Sequence, residues 1–285
     1  MSEEERKILD IAGDYRQVRR DGQPVEDPDW QSARIVLTDR RLVLAGNGSN
    51  RTIPHGRVTI PDDLDGAENA AETLVLQMGS TVIEVSPAGE TDFQDAYYRA
   101  NLAGEVVLVN HPAVVGGVVQ EDAAWEKAKF STTEDGFSLT FPGGDRVRCD
   151  FADVGTVETG SRSVMGETRP VVEIEHTDDD DRSVETHLSG TERHTSVLRE
   201  LFEERVAERD EDYELTETES QVLMALYSGV SPFEMSDFVG LSVDEVEEIY
   251  QKLLDVGAVD KVRTRTEVSL NAQGRNMASE AMSEQ

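Results

Sequence analysis

An internal repeat constrains the fold of this chain more than any other feature of its sequence. Each copy contains a tryptophan, an apolar strand, a polar turn with threonine and a second apolar strand, and this order predicts a β-hairpin. A sequence pattern that occurs twice is expected to form two similar structures. The pairs that recur at an offset of 95 residues are Trp30 with Trp125, Ile35 with Phe130, Thr38 with Thr133, Leu42 with Phe137, and Leu44 with Leu139.

The likeness between the two copies extends beyond the hairpin on both sides. Segments 8–18 and 106–119 are similar strands that precede it, and segments 73–85 and 170–188 are similar hairpins that follow it. Each copy then closes with one amphipathic helix, whose apolar residues recur at helical spacing. The predicted apolar faces consist of Phe93, Ala96, Tyr97 and Ala100 in the first copy and of Val197, Leu198, Leu201, Phe202 and Val206 in the second.

Short antiparallel strands followed by a single helix predict a small barrel or curled sheet that the helix closes. This pattern resembles the pleckstrin-homology-like superfold. We therefore predict an α+β protein with two tandem pleckstrin-homology-like domains, at residues 1–104 and 105–208, each closed by a helix. Folds of this kind bind lipids, peptides or proteins, so the fold alone does not decide the function.

The sequence pattern changes after residue 208. Residues 209–214 are predicted to form an acidic linker, and Thr216 and Glu219 have the capping-box spacing that begins a helix. The inner face of this helix is predicted to consist of Val222, Leu223, Leu226 and Tyr227.

Two further helices and an alternating segment complete the C-terminal region. Pro232 is placed to open a short helix and Gly240 to end it, whereas Ser242 is placed to cap a third helix. The segment DKVRTRTEVSL then alternates like the strands of a wing. This order predicts a winged helix-turn-helix domain at residues 215–275, followed by a disordered tail at residues 276–285.

The chain is strongly acidic, with 59 Asp and Glu against 27 Lys and Arg and a net charge of −32. This exceeds the charge that a small domain needs for solubility. We interpret it as a halophilic surface, on which high salt screens the repulsion between carboxylates; an ordinary acidic protein is the alternative. The charge argues against nucleic acid and anionic lipid as default partners, because both attract clustered Lys and Arg.

The third helix bears directly on DNA binding, because the N-terminal residues of such a helix contact base edges. It carries four acidic residues near its start, which phosphates would repel. A small basic strip in the wing keeps a DNA-binding transcriptional regulator of a haloarchaeon open as the alternative to protein contact. The acidic residues are Asp244, Glu245, Glu247 and Glu248, and the basic strip is Lys261, Arg263 and Arg265.

No motif in the sequence predicts catalysis, a cofactor or a metal site. Cys149 is the only cysteine and lies in an alternating pattern, so we expect a strand residue rather than a nucleophile. The five histidines lack metal-ligand spacing, and the aspartates of segment 177–182 are expected to form a solvated turn rather than a calcium loop. We therefore expect no enzymatic activity, no cofactor and no bound metal.

The sequence also predicts a cytoplasmic protein. The segment MSEEERKILD has neither the basic start nor the apolar run of a signal peptide. No stretch approaches the roughly 18 apolar residues that a membrane-spanning helix requires.

One segment carries the most specific resemblance to a known family. The segment is YSGVSPFEMSDFVGLS at residues 227–242, and the likeness extends over essentially residues 1–275. The chain resembles the archaeal taxis protein CheF family. The resemblance implies a non-enzymatic adaptor that links the phosphorylated response regulator CheY, and the CheC and CheD proteins, to accessory proteins of the archaellum motor. It thereby implies a role in rotational switching, with recruitment of a cytoplasmic protein to the motor at the membrane.

Two groups of residues are candidates for partner binding. Phe233, Met235 and Phe238 belong to a short helix with little room to bury all three; completing the small core is the alternative. Arg40 and Arg41 form an adjacent basic pair in a very acidic chain and fit an acidic or phosphorylated partner; a salt-bridged turn is the alternative. No partner-contacting residue is carried over from the family resemblance.

Overall fold

A computed structural model describes residues 5–46, 50–61, 73–89, 92–178, 180, 182–211, 215–255 and 258–259. The chain divides into two compact units, residues 1–214 and 215–285, and each is described by itself. The first unit contains two antiparallel sheets, each followed by a helix, and the described part of the second unit is helical. The protein is therefore of the α+β class, as predicted.

The first sheet is built from β1 (Lys7–Arg20), β2 (Gln23–Pro24), β3 (Gln31–Thr38), β4 (Arg41–Gly46), β5 (Asn50–Pro54), β6 (Leu74–Met78) and β7 (Thr81–Pro87). Its strands lie in the order β5-β4-β3-β1-β7-β6, and β2 pairs with β1. A short 3-10 helix (His55–Arg57) follows β5, and helix α1 (Phe93–Leu102) follows β7. The long strand β1 therefore joins the two halves of the sheet.

The second sheet is built from β8 (Val106–Val115), β9 (Val118–Val119), β10 (Glu126–Thr132), β11 (Gly136–Thr140), β12 (Arg146–Asp150), β13 (Val154–Val164), β14 (Glu167–Thr177) and β15 (Ser183–Ser189). Its strands lie in the order β12-β11-β10-β8-β15-β14-β13, and β9 pairs with β8. A 3-10 helix (Phe151–Asp153) follows β12, and helix α2 (Glu192–Glu211) follows β15. The order of elements thus repeats that of the first sheet.

The two hairpins predicted from the repeat are present. Leu37 pairs with Leu42 across β3 and β4, and Thr132 pairs with Phe137 across β10 and β11. Along β3, β4 and β10 most buried residues alternate with less buried ones, as expected for strands with one face in the core. Ile35, Leu42, Leu44, Phe130 and Leu139 are fully buried, and Phe137 is nearly so.

The sheets differ at one edge. The second sheet ends in the long strand β13, which pairs with β14 along most of its length. In the first sheet the described residues at the corresponding position form only an isolated bridge between Thr59 and Gln77. Strand β13 was not anticipated from the sequence, since its Gly-, Ser- and Thr-rich segment lacks a clear apolar alternation.

Both repeats contribute to one continuous hydrophobic core. Helix α1 packs against helix α2, and Phe202 of α2 lies with its ring centroid 5.0 Å from that of Phe137 and 5.9 Å from that of Phe151. Burial of each such ring stabilises the fold by about 1.5–3 kcal/mol. The predicted boundary between residues 104 and 105 falls in the turn between α1 and β8, and buried residues on both sides of it belong to the same core.

Polar contacts also cross the interface between the two helices. Asp95 of α1 forms a salt bridge with Arg205 of α2, and its side chain is almost completely buried. Arg193 of α2 donates to the side-chain oxygen of Asn101 at 2.6 Å.

Helix α2 continues to Glu211, so residues 209–211 are helical rather than part of the predicted linker. Arg and Glu, which occupy two of these three positions, have high helix propensity and favour continuation of the helix.

The second unit contains α3 (Glu217–Tyr227), α4 (Met235–Val239) and α5 (Val243–Asp255). The predicted capping box of Thr216 and Glu219 is present, and Gly240 ends α4 with a φ of 73°. Helix α4 begins at Met235 rather than at Pro232, because residues 232–234 form a turn. The core consists of Val222, Ala225, Met235, Val246, Ile249 and Leu253.

Parts of the predicted C-terminal domain lie outside the described residues. They include the wing residues Lys261, Arg263 and Arg265 and the predicted disordered tail at 276–285. Within the described ranges, none of the helices is both long enough and apolar enough to cross a bilayer.

Candidate functional site

Two of the three predicted apolar contact residues are exposed on the second unit. Phe233, in the turn before α4, is 83% exposed, and Phe238, within α4, is 64% exposed. Soluble domains rarely expose several large apolar side chains in one patch. Such patches mark candidate docking sites. The structure therefore keeps Phe233 and Phe238 as candidates for partner contact.

Met235 is not available to a partner. Its side chain is fully buried and packs in the core formed by α3, α4 and α5. The prediction that Met235 contacts a partner together with Phe233 and Phe238 is therefore wrong. Successive residues of a helix point about 100° apart, so a five-residue helix can bury one side chain and expose its neighbours.

A second apolar feature lies along α3 in the same unit. Met224 is 62% exposed and Tyr227 is 96% exposed. With Leu223, Leu226 and Val259 they line an open groove of about 670 Å³. Tyr227 was predicted to face inward, which is wrong, because it lies five residues after the buried Val222 and therefore about 140° from it around the helix.

Helix α5 presents a negative surface. Asp244, Glu245, Glu247 and Glu248 are exposed, and the only basic residue of the helix is Lys252. Its Nζ lies 4.0 Å from the carboxylate of Glu219. Phosphate groups approaching this helix would meet repulsion instead of the favourable release of counterions that drives DNA binding.

Arg40 lies in the turn between β3 and β4, and Arg41 is the first residue of β4. The Nε and Nη2 atoms of Arg41 donate to the two carboxylate oxygens of Glu5, at 2.7 and 2.5 Å. The Thr38 hydroxyl accepts the backbone N–H groups of Arg40 and Arg41 and donates to Glu5 at 2.7 Å. Hydrogen bonds from Arg41 and Thr38 lower the pKa of Glu5. Arg41 thus belongs to a salt-bridged turn, the alternative that the sequence left open, and both arginines are exposed.

An open cleft of about 430 Å³ on the second sheet was missed by sequence reasoning. Trp125, Arg162 and His187 are among its lining residues. They come from the segment before β10 and from strands β13 and β15, so no sequence spacing brings them together. The ring of Trp125 lies 6.5 Å, centroid to centroid, from that of His187.

Cys149 occupies strand β12, as the sequence predicted, and its side chain is buried. Burial raises the pKa of its thiol to about 12. A thiol in such an environment remains protonated at neutral pH and is a poor nucleophile.

Comparison with known proteins assigns the chain to a family. Residues 7–208 match the family described as Archaeal Chemotaxis signal transduction system protein F, and residues 214–283 match a domain of unknown function. The chain is 39% identical to taxis protein CheF1 of Halobacterium salinarum over 295 aligned residues, which cover 100% of both chains. It is 24% identical to taxis protein CheF2 of the same organism over 260 aligned residues, covering 87% of this chain and 88% of the relative.

These findings define a protein of the chemotaxis signalling class. The chain belongs to the archaeal chemotaxis protein F (CheF) family. The family resemblance inferred from residues 227–242 is thereby confirmed.

Proposed function

We propose that this protein is a non-enzymatic adaptor of archaeal taxis. It binds a phosphorylated CheY-type receiver, together with CheC- and CheD-type proteins, and connects them to accessory proteins of the archaellum motor to control rotational switching. Full-length similarity to a taxis protein is the observation that carries this proposal. The adaptor acts in the cytoplasm and is recruited to the motor at the membrane.

The exposed apolar residues of the second unit support a docking role. Phe233, Phe238 and Tyr227 each expose more than half of their surface. Aromatic side chains contribute more than most others to the binding energy of protein interfaces. We assign Phe233 and Phe238 to the contact with a protein partner, and Arg40 to a contact with an acidic one.

We further propose that each repeat of the first unit is pleckstrin-homology-like and that the second unit is a winged helix-turn-helix. The strand order and the closing helices support the first assignment. The order of a capped helix, a short helix and a third helix supports the second. The acidic α5 favours reuse of this domain for protein contact over DNA binding.

The binding test uses the full-length chain as bait in a native lysate kept at molar salt, with and without a phosphoryl donor. We expect CheY-type, CheC- or CheD-type and archaellum accessory proteins among the captured partners. The variant Phe233→Ala/Phe238→Ala should lose at least one of them. Met165→Ala is the matched control, because Met165 is 65% exposed but lies on the first unit. Capture of no taxis or motor protein would contradict the proposal.

The cellular test measures reversals of swimming cells. A strain lacking the gene should remain motile but fail to reverse, and the wild-type gene should restore reversals. Wild-type switching in the deletion strain would refute the adaptor role. Specific retardation of a genomic DNA fragment by the purified chain at high salt would favour the transcriptional alternative.

A further inference from the structure

Three potential metal ligands meet on the second sheet. Glu173 of β14 is the direct cross-strand partner of His187 of β15, and Glu185 lies two residues before His187 on the same face. The Nε2 atom of His187 lies 3.1 Å from Glu185 Oε2 and 3.8 Å from Glu173 Oε2. One donor atom from each side chain lies within 4.8 Å of the other two.

These separations suit a small divalent cation. Zinc binds imidazole nitrogen and carboxylate oxygen at about 2.0–2.2 Å, so donors around a tetrahedral ion are about 3.4 Å apart. The two distances from His187 Nε2, 3.1 and 3.8 Å, bracket this value. Small rotations of the glutamate side chains would therefore complete the geometry, without a change in the backbone.

The position of His187 is fixed before any ion binds. The residue is only 6% exposed, and its ring lies beside that of Trp125. A donor that packing already holds loses little conformational entropy when it binds a ligand. The imidazole nitrogen also favours zinc over magnesium or calcium, which prefer oxygen ligands alone.

The charge on this face of the sheet also favours a cation. In the strand register Glu158 lies opposite Glu173, and Glu175 lies opposite Glu185. Arg162 binds Glu173 through Nε at 2.6 Å and through Nη2, and the charges of Glu185 and Glu158 also act on it. The guanidinium of Arg162 therefore interacts with three carboxylates, those of Glu173, Glu185 and Glu158, and a divalent ion would relieve the remaining repulsion.

Arg162 competes with an ion for one oxygen only. Its Nη2 contacts Glu173 Oε2, whereas its Nε contacts Oε1. Binding of an ion at Oε2 would replace the first contact and leave the second, which would then orient the ligand as an outer-shell partner. The open cleft that reaches His187 offers a route for the ion and space for a fourth ligand.

We propose that Glu173, Glu185 and His187 form a binding site for a zinc-type divalent cation, with the fourth coordination position open to the cleft. Three protein ligands and one open position are the arrangement of accessible zinc sites. Spacing along the chain predicts no metal here. The site depends on strand register, which the spacing of the histidines does not reveal.

The test titrates zinc into the full-length chain after treatment with a chelator, in molar salt that suppresses weak binding to the many surface carboxylates. Calorimetry should detect one saturable equivalent, and cobalt should give the visible absorption of a site with a nitrogen ligand. Cobalt should also quench Trp125 fluorescence in a Trp30→Phe background, since Trp125 lies beside His187.

Two variants test the ligands, and a third serves as a control. Glu185→Gln and His187→Gln should each weaken zinc binding by more than about 100-fold, beyond the upper end of losses from outer-shell partners. Glu175→Gln is the matched control, because Glu175 lies on the same face but bonds to Ser183 instead. Equal melting temperatures of the zinc-free proteins establish that Glu185→Gln, which changes a half-exposed side chain, retains the fold.

Three results would overturn the proposal. The first is the absence of a saturable equivalent in the wild-type chain, and the second is unchanged affinity in Glu185→Gln and His187→Gln. Equal competition by magnesium would indicate a general acidic surface and would also overturn it. Because these measurements use the isolated chain, they do not depend on the adaptor role.

Discussion

The backbone N–H of Ile60, in the first repeat, donates a hydrogen bond of 3.1 Å to the Oγ atom of Ser196, in the closing helix of the second. Both groups are buried. The helix that closes one repeat therefore also satisfies a backbone group of the other. Together with the shared core, this bond makes the two repeats interdependent parts of one unit.

Substitution of Ser196 by Ala should destabilise the first unit. The Ile60 N–H would lose its acceptor while buried, which costs about 1–3 kcal/mol. Denaturant unfolding in molar salt, followed by circular dichroism, measures the change in free energy. Ser32→Ala is the control, since Ser32 forms an exposed hydrogen bond to Asp14. Equal midpoints for the two variants would show that the bond contributes nothing.

Met235 and Phe233 should respond in opposite ways to substitution by Ala. Met235→Ala should lower the stability of the second unit by about 2–5 kcal/mol, because it leaves a cavity in the small core. Phe233→Ala should change stability by no more than about 0.5 kcal/mol, because the side chain is exposed. Melting curves measure both. A large loss of stability in Phe233→Ala would assign Phe233 to the core and remove it from the docking surface.

Acid should destabilise the protein through a pair of histidines, of which His176 is buried and His111 is partly buried. His111 and His176 both bond to the Thr186 hydroxyl, at 2.7 and 2.8 Å, and their rings are stacked. Burial lowers the pKa of His111 from 6.5 to about 4 and also lowers the pKa of His176. The unfolded chain binds more protons in this range, so stability is complete above pH 6.5 and falls as the pH decreases towards 4.

The substitution His111→Gln isolates this contribution. It should make the plot of unfolding free energy against pH flatter between pH 6.5 and 4, whatever its effect on stability at neutral pH. The slope should decrease by less than the roughly 1.4 kcal/mol per pH unit that one whole proton supplies. Parallel curves for the two proteins would contradict the assignment.

Glu204 should have the opposite pH dependence. Burial raises its pKa from 4.5 to about 7, and nearby Glu208 and Asp95 add to the effect. The folded chain therefore binds more protons than the unfolded chain between these values, and stability is lost as the pH rises through 7. Glu204→Gln should be more stable than the wild type at pH 8 by about 1 kcal/mol, because partial exposure reduces the full effect.

Paired measurements at pH 4.5 and pH 8 check this expectation. The two proteins should have similar stability at the lower pH, where the Glu204 carboxyl is protonated in the folded state. Glu134→Gln, at an exposed turn, should show no such divergence. A Glu204→Gln variant that is less stable than the wild type at pH 8 would refute the prediction.

The repeat and its hairpins were predictable because the buried face of a strand requires apolar residues at regular positions in the sequence. Ile35 and Phe130 differ in identity, yet both are apolar at the same position and both are fully buried. The faces of the closing helices were predictable for the same reason. Phe93 and Tyr97 in α1, and Leu198 and Phe202 in α2, lie four residues apart and belong to the core.

The same reasoning failed where a side chain has two possible environments. Tyr227 and Met235 are both apolar residues in short helices, but one is 96% exposed and the other is fully buried. Hydrophobicity alone does not separate them, because the outcome depends on which helix face meets the rest of a very small core. Strand β13 escaped prediction because pairing with β14, rather than an apolar pattern, defines it.

The sequence by itself determined the repeated α+β architecture, the family and the acidic surface, because these depend on local periodicity, similarity and composition. Only the tertiary structure joined Ile60 to Ser196, Asp95 to Arg205 and Glu173 to His187. Each of these contacts joins residues from different elements, so it depends on how strands and helices pack or on the strand register. Folding brings them together as apolar side chains of both repeats pack into one shared core.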